Sequence, residues 1–199
     1  MGRLLRCAHP GAHGLPVIFV PTPLPGAMVI EQERHLDHRG YFARTWCKRE
    51  FESAGLNSEF VQSNVSRNER AGTLRGMHWQ DRPNEETKLV RCTQGAIWDV
   101  IIDLRPISPT YTRYFGIELD ADSGRALYIP EGFAHGFVTL RSESEVVYQM
   151  SNYFEPSAAR GVRWNDPAFG IAWPVADPTI HPRDAAYPDF VPETAASIG

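Results

Sequence analysis

From Met28 onward, short apolar or alternating runs recur between Gly, Pro and Asp turns: "MVIEQER", "EFVQSNVS", "GTLRGMHW", "KLVRCT", "AIWDVIIDL", "RYFGIEL", "ALYIP", "HGFVTL" and "SEVVYQMS". Runs of this length with a period of two predict β-strands, and their close spacing predicts a sandwich or jelly-roll barrel rather than alternating βα units. In "AIWDVIIDL", Trp98, Val100, Ile102 and Leu104 share one face while Asp99 and Asp103 lie on the other. That pattern predicts one buried side and one side meeting polar surroundings. Only "CKREFESAGL" has helical character, with Gly55 as its stop signal. The chain accordingly divides into a loose Pro- and Gly-rich arm over 1–27, an all-β jelly-roll domain with few short helices over 28–174, and a tail over 175–199 that packs on the barrel.

Composition narrows the partners. At 199 residues and 42% hydrophobic content the chain is long enough for one well-buried core and short for two. A formal net charge of -4, with no Lys/Arg run, gives no general reason to bind nucleic acid or an anionic membrane, so any anion binding is local. Cys7, Cys47 and Cys92 are odd in number and lack CxxC spacing, which speaks against a disulfide framework and a structural zinc and fits a reducing cytoplasm. The opening residues carry no convincing signal peptide, and no run reaches membrane-span length.

Two segments carry candidate chemistry. "GTLRGMHWQ" presents His78, and "IPEGFAHGF" places Pro130, Gly132 and His135 in the spacing P-x-G-x-x-H. Together they resemble the two boxes of the cupin superfamily, small double-stranded β-helix barrels whose boxes usually bring three histidines and a glutamate to one metal. Here Gln80 stands where the next ligand of the first box belongs, and Glu85 and Glu86 sit in a Pro/Asn loop. Two histidines with an amide are a weak donor set, so no metal is expected. An imidazole titrates near neutrality, which suits His78 to act as a general base; a hydrogen-bonded core histidine is the alternative.

Longer segments sharpen this. "HRGYFARTW", "FVQSN", "LRGMHWQ", "KLVRCTQGAIWDVIIDLRPISPTY", "YIPEGFAHGFVTL", "EVVYQMSNYF", "GVRWNDPAFGIAWP" and "RDAAYPDF" resemble the dTDP-4-dehydrorhamnose 3,5-epimerase family over Val29 to Phe190. The resemblance implies a homodimeric jelly roll that needs no metal or cofactor and acts on a nucleotide-linked 4-keto sugar. It implies that His78 is the base, Asp184 its carboxylate partner, Lys88 the donor to the enolate oxygen and Tyr148 the acid on the opposite face. Arg39 and Arg75 match family arginines that contact substrate, Gln62 and Asn64 a segment near the nucleotide, and His135 the second-box histidine; Asp166 is expected to be structural. In the homodimer the arm or first strand is expected to cover a sheet edge. Strict alternation sets Arg75 and His78 on opposite faces, so both reach one ligand only if Gly76 marks a bulge or bend.

The chain departs from the family pattern at Arg44, Val65, Gln149, Phe154 and Ala159, where Glu, His, Lys, Tyr and an acid are usual. These positions lie near substrate in the family and bear on the identity of sugar and nucleotide. A sugar-nucleotide 3,4-ketoisomerase, a non-catalytic sugar-nucleotide binder and a metal-dependent cupin oxygenase are the competing readings. Only an epimerase needs a tyrosine opposite the base.

Overall fold

The computed structural model describes Leu5–Arg6 and residues 16–192. The chain runs β1 (Leu5–Arg6), β2 (Val17–Pro21), β3 (Met28–Gln32), β4 (Arg34–Asp37), β5 (Gly40–Ala43), α1 (Lys48–Ser53), β6 (Gln62–Asn68), β7 (Thr73–Gln80), β8 (Lys88–Gln94), β9 (Ala96–Asp103), β10 (Tyr114–Asp120), β11 (Ala126–Ile129), β12 (Phe133–Thr139), β13 (Ser144–Met150), β14 (Ala159–Gly161), β15 (Thr179–Ile180) and α2 (Pro182–Ala185). A seven-stranded sheet in the order β1-β2-β3-β11-β8-β13-β6 faces a six-stranded sheet built on β10-β9-β12-β7-β14, with β15 also on β7. No helix among the described residues is long and apolar enough to cross a membrane.

Each predicted run forms a strand, and α1 stops where Gly55 takes a φ of +73° and the amide of Leu56 reaches back to the carbonyl of Phe51 at 2.9 Å. Three findings differ from the pattern reading. "MVIEQER" breaks at Glu33, after which β4 leaves the sheet to pair with β5 as a separate hairpin. Within the expected loose arm, Val17–Pro21 is a strand laid against β3, and Val17 and Phe19 are fully buried. Most of the arm, 1–4 and 7–15, lies outside the described residues.

The third difference is β9, which buries both faces. Ile97 and Ile101 join Val90, Leu127, Phe137 and Val146 in the core between the sheets. Val100 and Ile102 lie beneath Phe169, Trp173 and Phe190 of the C-terminal segment. Asp99 and Asp103 are therefore wholly buried, and their polar surroundings are supplied by protein groups instead of water. The outer face of the other sheet is closed by α1, whose Phe51 packs edge-on to Phe19 with ring centroids 5.1 Å apart. Burying such a side chain contributes about 1.5–3 kcal/mol. The tail after 174 returns to the barrel: β15 pairs in parallel with the start of β7, and α2 follows directly.

Candidate active site

Strand β7 carries the candidate base, and its backbone decides which side chains meet. In the ladder with β12, His78 faces His135 and Arg75 faces Phe137, so β7 advances three residues while β12 advances two. The extra residue is a β-bulge at Gly76–Met77. Gly76 has a φ of +124°, and a Cβ there would lie 2.5 Å from Gly136 Cα, so glycine alone fits. The bulge turns Arg75 and His78 to the same side, and both line one cavity of about 980 Å³ between the sheets and the tail.

Two imidazole–carboxylate pairs stand side by side in that cavity. His78 Nε2 lies 3.0 Å from Asp184 Oδ1, which α2 brings in from the tail. Burial works to raise the Asp184 carboxyl, but the hydrogen bond and charge of His78, with Arg183, outweigh it and hold the group below its usual range. The carboxylate faces Nε2, which leaves Nδ1 as the ring nitrogen turned away from Asp184. His135 Nε2 is 2.8 Å from Asp99 Oδ1. Asp99 sits on β9 opposite Phe137, a diagonal cross-strand neighbour of His135 on the same face.

The remaining candidates close the cavity from the opposite sheet. Lys88 opens β8 and is buried, with Nζ 2.6 Å from Glu86 Oε1. That carboxylate compensates an ammonium whose uncompensated burial would be costly. Tyr148, opposite Asn64 and Val90, is half-buried against the core. Burial pushes its phenol up from the usual tyrosine range, Arg75 acts against this and Glu86 adds to it, so the hydroxyl stays protonated through neutral pH. Gln62 donates to Asn64 Oδ1 at 3.0 Å along the cavity wall. Arg75 donates through Nε to the neutral Asn68 Oδ1 at 2.8 Å, which leaves its charge for an anionic ligand.

Gln80 is spent on structure: Nε2 donates to the carbonyls of Asn84 and Tyr153, and Oε1 accepts from the amide of Glu155 at 2.6 Å. Among the described residues no three His, Cys, Asp or Glu side chains converge as a metal site would require.

Arg39 is the one sequence candidate outside the cavity. It sits in the turn of the β4–β5 hairpin, 78% exposed, paired with Asp37 at 2.6 Å. Sequence reasoning missed two carboxylates that hold cavity residues, Asp99 behind His135 and Glu86 beside Lys88. A carboxylate flanked by apolar residues in a strand was the available signal for Asp99, whereas Glu86 had none beyond its place two residues before Lys88. Asp166 is buried and accepts the Phe190 amide at 2.6 Å, a structural tie for the tail. Of the departures, Val65, Phe154 and Ala159 line the cavity, and Arg44 pairs with Glu50 at 2.6 Å.

Fold and cavity together define a class: a cupin-type barrel whose box histidines are each held by a carboxylate, equipped for acid–base work. A family model described as dTDP-4-dehydrorhamnose 3,5-epimerase matches residues 21–191. The chain is 41% identical over 174 residues to the dTDP-4-dehydrorhamnose 3,5-epimerase of Salmonella typhimurium, covering 86% of this chain and 94% of the relative. It superposes on the corresponding enzyme of Elizabethkingia anophelis with a TM-score of 0.85, at 36% identity over 87% of this chain and 96% of that one. The Bacillus anthracis enzyme, solved with TDP and PPi bound, gives a TM-score of 0.84 at 41% identity over 86% and 98%. The chain belongs to the dTDP-4-dehydrorhamnose 3,5-epimerase family of isomerases.

Proposed function

We propose that this chain epimerises a nucleotide-linked 4-keto-6-deoxyhexose of the dTDP-4-dehydro-6-deoxyglucose type, at C3, C5 or both, in deoxysugar synthesis of the rhamnose kind. The observation that carries the reading is the meeting, in one cavity, of a carboxylate-held imidazole with a half-buried tyrosine and a buried lysine. Hydrogens on C3 and C5 are acidic because the C4 carbonyl accepts the electron pair as an enolate. His78 takes the proton, and Asp184 stabilises the imidazolium that forms. Lys88 stabilises the enolate oxygen, a role worth about 2.7–4 kcal/mol for a single preorganised donor. Tyr148 returns a proton from the other face, which inverts the carbon. No step needs a metal or cofactor.

Arg75, Gln62 and Asn64 suit the nucleotide diphosphate, and His135, steadied by Asp99, suits the sugar. A cavity of about 980 Å³ is at the upper end for small-molecule sites, as a sugar nucleotide requires. Arg39 reaches substrate in this reading only from a second copy, so the working form is a homodimer in which the β4–β5 hairpin crosses to the neighbouring cavity. Leu36, Tyr41 and Phe42 are exposed on that hairpin, the kind of apolar surface an interface covers. Free thiols at Cys47 and Cys92 fit a cytoplasmic enzyme.

Incubation with dTDP-4-keto-6-deoxyglucose in D2O tests the reading. Deuterium at both C3 and C5 marks double epimerisation, and deuterium at one marks a monoepimerase. Absence of exchange at either carbon would leave a binder or another substrate.

A further inference from the structure

The tail brings a second ring to the base. Three residues beyond Asp184, Tyr187 lines the cavity with its ring centroid 6.0 Å from that of His78, nearly edge-on at 71°. What seats it is Gly161. In the β14–β7 ladder Gly161 lies directly opposite His78, and a Cβ at Gly161 would come within 2.3 Å of Tyr187 Cε2 and Cζ. The phenol edge therefore occupies the space that any side chain at 161 would fill. One short stretch of tail straddles the base, with Asp184 on its Nε2 and Tyr187 beside its ring.

The stretch is fixed at both ends. Before it, Thr179 and Ile180 pair with Thr73 and Leu74 of β7. After it, the Phe190 amide bonds Asp166 and the Phe190 ring lies 5.0 Å from that of Phe169. Between those anchors the tail is also tied by Asp184 to β7 and by Asp189 to Arg163, and the Tyr187 ring on Gly161 is its packing contact with β14. The Tyr187 hydroxyl is held up from its usual range by burial, with Arg183 opposing and Asp184 adding, so the ring is a neutral wall at neutral pH.

We propose that Tyr187 is a positioning residue for the His78–Asp184 pair: seated on the bare backbone of Gly161, its ring fixes the imidazole plane and keeps water from the pair. The inference rests on His78 being the base. An ion pair closed to water is stronger than one that is wet, because the effective dielectric is lower. A ring that wanders also loses its line to the substrate hydrogen, and a misplacement of about 1 Å costs roughly 10²-fold in rate.

Four variants separate this from a merely structural role: Tyr187→Phe, Tyr187→Ala, Gly161→Ala, and the last two combined. Two measurements are made on each. One is kcat and KM for dTDP-4-keto-6-deoxyglucose; the other is the solvent exchange of the His78 ring N–H by NMR in the ligand-free protein. Tyr187→Phe keeps the ring and is expected to match the parent in both. Tyr187→Ala and Gly161→Ala are each expected to lower kcat by roughly 10²-fold with KM within about twofold, and to speed N–H exchange. The combined variant is expected to be no worse than Tyr187→Ala, since both changes break one contact. Parent-level kcat and exchange in Tyr187→Ala would overturn the proposal, as would a Tyr187→Phe variant as damaged as Tyr187→Ala. The NMR readout stands even if the parent proves inactive on this sugar, so failure of the positioning role and failure of the substrate assignment give different results.

Discussion

At the scale of single residues the division of labour between His78 and Tyr148 is open to direct test. His78 presents Nε2 to Asp184 at 3.0 Å, and Tyr148 keeps its proton because burial disfavours the phenolate. If one removes a proton and the other supplies it from the opposite face, the two substitutions damage different halves of the reaction. His78→Ala abolishes both deuterium wash-in and product, because no enolate forms. Tyr148→Phe removes only the hydroxyl, so it retains some exchange on the original face and loses inverted product. Each loss is on the order of 10²- to 10⁴-fold, the usual contribution of a positioned acid or base. Inversion at the parent rate in Tyr148→Phe would make Tyr148 a core residue and move the acid to a water or to Tyr153, which is exposed and precedes the cavity residue Phe154.

At the scale of elements, the same chemistry depends on loops that hold strand ends in place. Asp103 closes β9 with every carboxylate site used: Oδ1 accepts from Arg105 Nε at 2.8 Å, and Oδ2 from Arg105 Nη2 at 2.7 Å, Ser108 at 2.5 Å and Thr110 at 2.6 Å. Burial works to raise this carboxyl, and those donors together outweigh it and leave it below its usual range. A depressed carboxyl contributes stability that is fully present above its unfolded value, about 3.9, and is lost as pH falls through the lower folded value. Asp103→Asn should therefore cost about 2–3 kcal/mol near neutral pH. The gap to the parent should close in strong acid. Urea unfolding from pH 7 down to about 1.5, at fixed protein concentration, reads this directly, and a gap that stays constant across that range would assign the loss to packing.

Period-two alternation was enough to locate β3 and β6–β13, though not the short β4, β5, β14 and β15, and one helical segment ending at Gly55 was enough to locate α1. The bulge at Gly76 was also legible, since Arg75 and His78 could share a ligand only through it. What escaped were facts that depend on what packs over a strand. Alternation in β9 distinguishes its faces but cannot show that the C-terminal segment covers Val100 and Ile102 while the face of Asp99 and Asp103 turns, with Ile97 and Ile101, into the space between the sheets, so the two aspartates read as solvent-facing when they are buried. The partnership of Asp99 with His135 follows from β9 lying beside β12, a pairing set by topology rather than local sequence. Likewise β2 was hidden by flanking prolines, although its alternate residues Val17 and Phe19 enter the core.

At the scale of the whole molecule, the placement of Arg39 and of the exposed apolar residues carries the last prediction. Leu36 is 81% exposed and Phe42 70% on the β4–β5 hairpin, while Val65 on the edge strand β6 and Phe154 at the cavity wall are also more than half exposed. Apolar surface on a projecting element and on a sheet edge beside a cavity suits a two-fold arrangement in which each copy's hairpin covers the other's lip. Arg39, at the hairpin turn, would then add its guanidinium to the neighbour's site. Arg39→Ala and His78→Ala each disable a homodimer, but in different cavities when mixed. In a mixed dimer, the cavity that keeps His78 receives Arg39 from the copy that lacks His78, so one of its two sites is whole. Random exchange of subunits restores roughly a quarter of all sites. Co-refolding the two inactive variants and measuring turnover, with solution mass by scattering to confirm the dimer, decides the matter. Activity no greater than the sum of the separate variants would place Arg39 outside the partner's site, and a monomer at micromolar concentration would remove the dimer altogether.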